Sequence, residues 1–166
     1  MTNTVLWIED SPQGLFAPYL APILADPDII LKQAFDATQA FEALKSHSYD
    51  LVIFDLDLPP GENRTFRKIY HHCTPNASKE NCVLGCHLLR IWLGQKPKEL
   101  PENIPIEDVR LSSHLSSQNI LIYSVYAENY RKNLEELGLD DDHIIQKSAM
   151  QARFYLHRRI KIFLPH

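Results

Sequence analysis

The chain has 166 residues, a length that predicts one domain and is ample for a single buried core. Apolar residues make up 45% and charged residues 23%, and the net charge of −4, from 17 basic and 21 acidic residues, argues against a nucleic-acid surface as its main business. No apolar stretch approaches the ~20 residues of a membrane span. Glu9-Asp10 also comes too early for a secretory leader, so the expectation is a cytoplasmic chain with neither a membrane nor a nucleic-acid partner.

In chain order, Val5-Leu6-Trp7-Ile8 predicts a first strand over about 4–9. Ser11-Pro12 then offers a helix cap and a favoured first helical proline. Pro18 and Pro22 interrupt the helical spacing that follows, which predicts a kinked or late-starting helix. A strand over about 29–34, a helix over about 37–46 capped near Asp36, and a strand over about 50–55 come next. Residues 60–84 hold Pro60-Gly61, Asn63 and Pro75-Asn76, and read as loop. A helix resumes at about 85–93, and 94–118 reads as irregular again. A strand at 119–124, a helix at about 127–137 ending before Gly138, a strand at about 143–147 and a helix at about 149–163 complete the pattern. Alternating strands and helices predict a doubly wound parallel α/β sheet with helices on both faces.

Glu9, Asp10, Asp55, Asp57, Ser124 and Lys147 follow or end four of these apolar runs. In an open parallel sheet the strand ends line up along one edge, where ligands bind. Acids, a hydroxyl and a lysine converging there suit a divalent cation and a phosphoryl group. Taken singly, the same residues read more plainly: acids after strands are often helix caps, a lone serine a satisfied hydroxyl, a lone lysine a surface charge. Their co-occurrence favours the site.

At these residues the chain resembles the receiver domain of two-component response regulators, a CheY-like superfamily. VLWIEDSP resembles the receiver's first strand and acidic pair, YDLVIFDLDLP its third strand and phosphoacceptor aspartate, NILIYSVYAE its fourth strand and hydroxyl, and DDHIIQKSA its fifth strand and lysine. The resemblance implies a flavodoxin-like five-stranded sheet of order 2-1-3-4-5, here as a single domain over 1–166 with inserts at about 60–84 and 94–118. It further implies that Asp55 accepts a phosphoryl group, that Ser124 and Lys147 contact its oxygens, and that Mg²⁺ is held by Asp10, Asp55 and the backbone carbonyl of Asp57, with Glu9 acting through water. The implied partners are a sensor histidine kinase or phosphotransfer protein and a downstream protein effector. The chain would then be a stand-alone signalling domain, catalysing only its own phosphorylation and dephosphorylation.

Several residues depart from that pattern. Val125 stands where receivers carry a small residue, Ile144 where they carry a switch aromatic, and Ser148 where a cis proline follows the lysine. A non-proline cis bond costs ~2.5–4 kcal/mol, so the expectation is either a trans bond with Lys147 displaced or a strained cis bond. Tyr123 and Tyr126 are nearby candidates to replace the aromatic. These departures support an alternative: a phosphorylation-independent interaction module using the inserts as its partner surface. Cys73, Cys82 and Cys86, an odd number, predict thiols or a metal rather than a closed disulfide framework. With His71, His72 and His87 they form one candidate zinc set, weighed against free thiols and solvated histidines. Basic Arg153, Arg158, Arg159 and Lys161 on the last helix read first as a plain solvated face; receivers commonly form dimer or effector contacts through helix 4, strand 5 and helix 5, and the resemblance allows that face to pair with Glu128, Glu135 and Glu136 of a second copy.

Overall fold

Five short runs flanked by turns become five parallel strands; four are apolar enough to bury both faces, and residues 29–34 form an edge strand with only Ile29 and Ala34 buried. The computed structural model describes residues 2–11, 17–73, 83–97, 100–112, 115–148 and 154–164. Its strands are β1 (Asn3–Ile8), β2 (Ile29–Ala34), β3 (Leu51–Phe54), β4 (Ile120–Ser124) and β5 (Ile144–Gln146), in the order β2-β1-β3-β4-β5. The helices are α1 (Ala17–Leu24), α2 (Ala37–Ser46), α3 (Arg64–Cys73), α4 (Leu84–Trp92), α5 (Arg131–Glu135) and α6 (Tyr155–Phe163). This is the doubly wound, flavodoxin-like order, shared by receivers, and its direction reverses between β1 and β3.

Side-chain alternation divides the core in two. Val5, Trp7, Leu51, Ile53, Leu121, Tyr123 and Ile145 face Tyr19, Leu20 and Ile23 of α1 and Leu156 and Ile160 of α6. Leu6, Ile8, Val52, Phe54, Ile120, Ile122 and Ile144 face α2, α3, α4 and α5. Register pairs Ile8 with Phe54, so Glu9 and Asp55 leave the sheet side by side. It also pairs Ser124 with Gln146, one residue before Lys147.

Most elements fall where the sequence predicts them, and Asp36 caps α2 by accepting the Gln39 N–H at 2.8 Å. Three differ. Residues 64–73, expected as loop, form α3, with Thr65, Phe66, Ile69 and Cys73 buried at helical spacing. Asn63 starts it by accepting the N–H groups of Thr65 and Phe66 at 2.9 and 3.2 Å. The turn before it is fixed on α2: Thr38 Oγ1 donates to the Pro60 carbonyl at 2.8 Å and accepts from the Asn63 N–H at 2.9 Å. Gly61 lies in that turn at φ 68°, where an added Cβ would meet Asp36 Oδ1 at 2.5 Å. The helix expected over 127–137 shrinks to α5, and the residues before it close as i→i−3 turns, with the Ala127 N–H on the Ser124 carbonyl and the Arg131 N–H on the Glu128 carbonyl, both at 3.3 Å. The last helix is described from Tyr155 onward; the expected residues 149–153 lie outside the described residues.

Trp92 joins the inserted segments to the core. Its ring stacks on Phe41 (6.3 Å, 19°) and meets Phe54 and Phe66 edge-on at 5.9 and 6.2 Å. Its indole N–H donates to the Val109 carbonyl at 3.1 Å, in a 3-10 turn (Ile106–Val109). Parts of both expected inserts are therefore ordered packing layers on the α2–α4 face.

The cysteine expectation also changes. Cys73 is disulfide-bonded, so its sulfur is not a thiolate ligand. Cys86 is free and buried, and burial pushes its thiol up to about 12, which keeps it protonated. Cys82 lies outside the described residues. Among the described residues, His71, His72, Cys86 and His87 do not make a group of three or more metal-ligating atoms.

Candidate functional site

Strand alternation decides which end residues meet. Glu9 continues the Val5, Trp7 parity, Asp55 the Leu51, Ile53 parity and Lys147 the Ile145 parity, so all three emerge toward α1 and α6. Backbone bonds hold the strand ends in register: the Asp55 N–H donates to the Ile8 carbonyl at 3.0 Å, and the Lys147 N–H to the Ser124 carbonyl at 2.9 Å.

Lys147 Nζ donates to Glu9 Oε2 and to Asp55 Oδ2 in a buried triad. Glu9 is 3% exposed, Asp55 3% and Lys147 6%. The ammonium also lies over the fully buried Tyr123 ring, 5.4 Å from its centroid, and Trp7 meets that ring edge-on at 6.1 Å. The Lys147–Ser148 bond is trans, and Lys147 still reaches Asp55, so the absence of the cis proline does not displace the lysine. Tyr19 Oη donates to the Ser148 carbonyl at 3.3 Å and ties this turn to α1.

Glu9, exposed Asp10 and Asp55 each offer a carboxylate oxygen within 4.8 Å of the others. At that range two carboxylates repel by roughly 3 kcal/mol at an effective dielectric of ~20. Glu9 carries the consequence: burial first, and then the Asp55 charge, raise it to about 7 against the opposing pull of Lys147. Asp57, exposed, is also raised, chiefly by desolvation and then by Asp55 and Asp10. Its N–H donates to Asp55 Oδ1 at 3.1 Å, which orients the carboxylate. The Ser11 N–H reaches Glu9 Oε1 at 3.3 Å.

Ser124 is fully buried on the opposite parity, where its hydroxyl accepts the Tyr126 N–H at 3.3 Å. Val125 and Tyr126 beside it are 43% and 39% exposed. The six expected residues thus divide into a triad (Glu9, Asp55, Lys147), a carboxylate beside it (Asp10), an exposed acid whose N–H contacts the triad (Asp57), and a hydroxyl at the neighbouring strand end (Ser124). Sequence reasoning missed Gln146, whose side chain spans the β4–α5 loop; its only signal was a polar residue ending an apolar strand.

No family model and no curated protein matches the chain. Among solved structures it is similar to the receiver domain of the sensor histidine kinase PA1611 from Pseudomonas aeruginosa PAO1, a structure with a magnesium ion coordinated in the active-site cleft. The match covers 98% of each chain at 15% identity and a TM-score of 0.47.

Proposed function

We propose that this chain is a receiver-type phosphoacceptor signalling domain. Asp55 takes a phosphoryl group from a phosphohistidine on a sensor kinase or phosphotransfer protein, and protein contact passes the signal on. The observation that carries this reading is the buried Glu9–Lys147–Asp55 triad with Asp10 beside it at the sheet's switch point. An Asp55 oxygen forms the new bond to phosphorus as the P–N bond to the donor imidazole breaks, the electron pair leaving with the imidazole. Lys147 supplies charge to a phosphoryl oxygen, and Ser124 has its proton to donate to another.

The donor set fits a hard cation: three carboxylate oxygens, with no sulfur or imidazole among them. Asp10, Asp55 and the Asp57 carbonyl would hold Mg²⁺, with Glu9 behind them, and the ion supplies positive charge against the incoming phosphoryl group. No helix among the described residues is long and apolar enough to cross a membrane, and we read the compartment as cytoplasmic.

One observation favours the phosphorylation-independent alternative. The lysine already bridges both buried acids, so the triad is bonded closed without a ligand; its one positive charge balances one carboxylate, and burial raises Glu9 to about 7, which favours its protonation. Acetyl phosphate or beryllofluoride with Mg²⁺ separates the readings. Phosphoacceptor function predicts a modification of the wild type that is lost in Asp55→Asn; no uptake at millimolar donor supports the module.

Dimerisation through α5, β5 and α6 is proposed less readily than the sequence suggested, because much of the relevant charge is engaged within the chain. Arg159 contacts Asp142, Arg131 contacts Glu128 and Asp141, and Arg90 holds Glu136 at 2.6 Å.

A further inference from the structure

Gln146 ends β5 in register with Ser124, and by strand parity both side chains leave the sheet on the α5 side. Its amide nitrogen donates to the Val125 carbonyl at 2.5 Å, and its amide oxygen accepts the Glu128 N–H at 3.0 Å. One side chain therefore bridges both ends of the four-residue stretch from Val125 to Glu128. The first of these residues follows directly on the candidate phosphoryl-contacting hydroxyl. Inside the stretch, the Tyr126 N–H donates to Ser124 Oγ and the Ala127 N–H to the Ser124 carbonyl, both at 3.3 Å. Moving Ser124 toward a group on Asp55 pulls on Tyr126, and the loop cannot follow while Gln146 holds Val125 and Glu128.

We propose that Gln146 is a latch: a positioning residue that holds the β4–α5 loop in its resting form and opens when Asp55 is modified. This rests on the phosphoacceptor reading. The latch uses hydrogen bonds to backbone, so it works without an aromatic side chain on β5, where Ile144 is buried in the core. Exposed Val125 and Tyr126 are the surface that changes when the latch opens. A ligand that binds the open loop gains apparent affinity when the resting form is weakened, in proportion to the rise in the open fraction.

Gln146→Met preserves side-chain length and bulk while removing both bonds. Amide exchange at Glu128 and beryllofluoride titration at fixed Mg²⁺ are measured in the wild type and the variant, with a thermal melt to establish that the variant is folded. If Gln146→Met unfolds, Gln146→Glu, which retains the acceptor for Glu128 but not the donor for Val125, replaces it. The expected results are Glu128 exchange about tenfold faster in the variant, half-saturation by beryllofluoride at about fivefold lower concentration, and wild-type exchange at Glu128 that accelerates once beryllofluoride binds. Wild type that binds beryllofluoride while Glu128 stays protected overturns the latch, as does a variant whose titration is unchanged. Wild type that never binds overturns the phosphoacceptor reading and, with it, the coupling.

Discussion

Glu9 and His87 are buried titratable residues whose shifts oppose one another. Glu9 is raised from 4.5 to about 7 by burial, so between those values the folded chain holds a proton that the unfolded chain releases. Its contribution is complete below 4.5 and is lost as pH rises through 7, at up to about 1.4 kcal/mol per unit. His87 is lowered from 6.5 to about 4, first by desolvation and then by His72 and Arg90. Its contribution is complete above 6.5 and is lost as pH falls through 4. In the shared window the two slopes offset each other. Urea unfolding in EDTA from pH 4.5 to 7.5 checks this: Glu9→Gln is expected to gain stability as pH rises, His87→Leu to lose it, and the wild type to change least. Three parallel profiles would remove the argument. Lys147→Met leaves two buried acids without their cation and is expected to cost about 3–5 kcal/mol at pH 8. The loss should shrink at pH 5.5 as Glu9 protonates, and the same unfolding series reads it.

At the scale of elements, the site depends on how α4 meets the loop after β3. Gly85 opens α4 with its N–H on the Leu56 carbonyl at 3.1 Å, and an added Cβ would lie 2.5 Å from that oxygen and 2.6 Å from the Leu56 Cα. Both obstacles are backbone, so Gly85→Ala must shift α4 or the Asp55–Asp57 segment. A stability loss of about 1–3 kcal/mol is expected, with weaker beryllofluoride uptake than the lost stability alone explains. Normal uptake in a destabilised Gly85→Ala would show that the helix moves and the loop does not. Trp92 is the corresponding residue for the added layer. Trp92→Leu removes the contacts among Phe41, Phe54 and Phe66 and leaves the Val109 carbonyl without its donor; about 3–5 kcal/mol is expected by denaturant unfolding. The acidic site lies at the strand ends on the α1–α6 side, away from this layer, so Mg²⁺ affinity of the folded variant should hold.

For the whole molecule, ligand linkage joins site to stability. Mg²⁺ that binds only the folded cluster stabilises it by ~2.7 kcal/mol at a hundredfold excess over Kd, and the unfolding midpoint rises with its concentration. Thermal melts with and without EDTA are expected to show this in the wild type and to lose it in Asp10→Asn. The sequence by itself determined the strand sequence, the sheet class and the acids at its edge, because apolar period and turn residues are local signals and parallel strands bring their ends to one side. Phe66, Ile69 and Cys73 also carried a helical period behind Asn63, but the surrounding turn residues masked it, and burial against Trp92 made it a helix. Only the tertiary structure decided which edge residues touch. Lys147 meets partners 138 and 92 residues away, and Gln146 clasps a loop 18 and 21 residues distant. Those contacts depend on strand register, side-chain parity and the competition of one ammonium for two carboxylates, none of which is a property of any short stretch of chain.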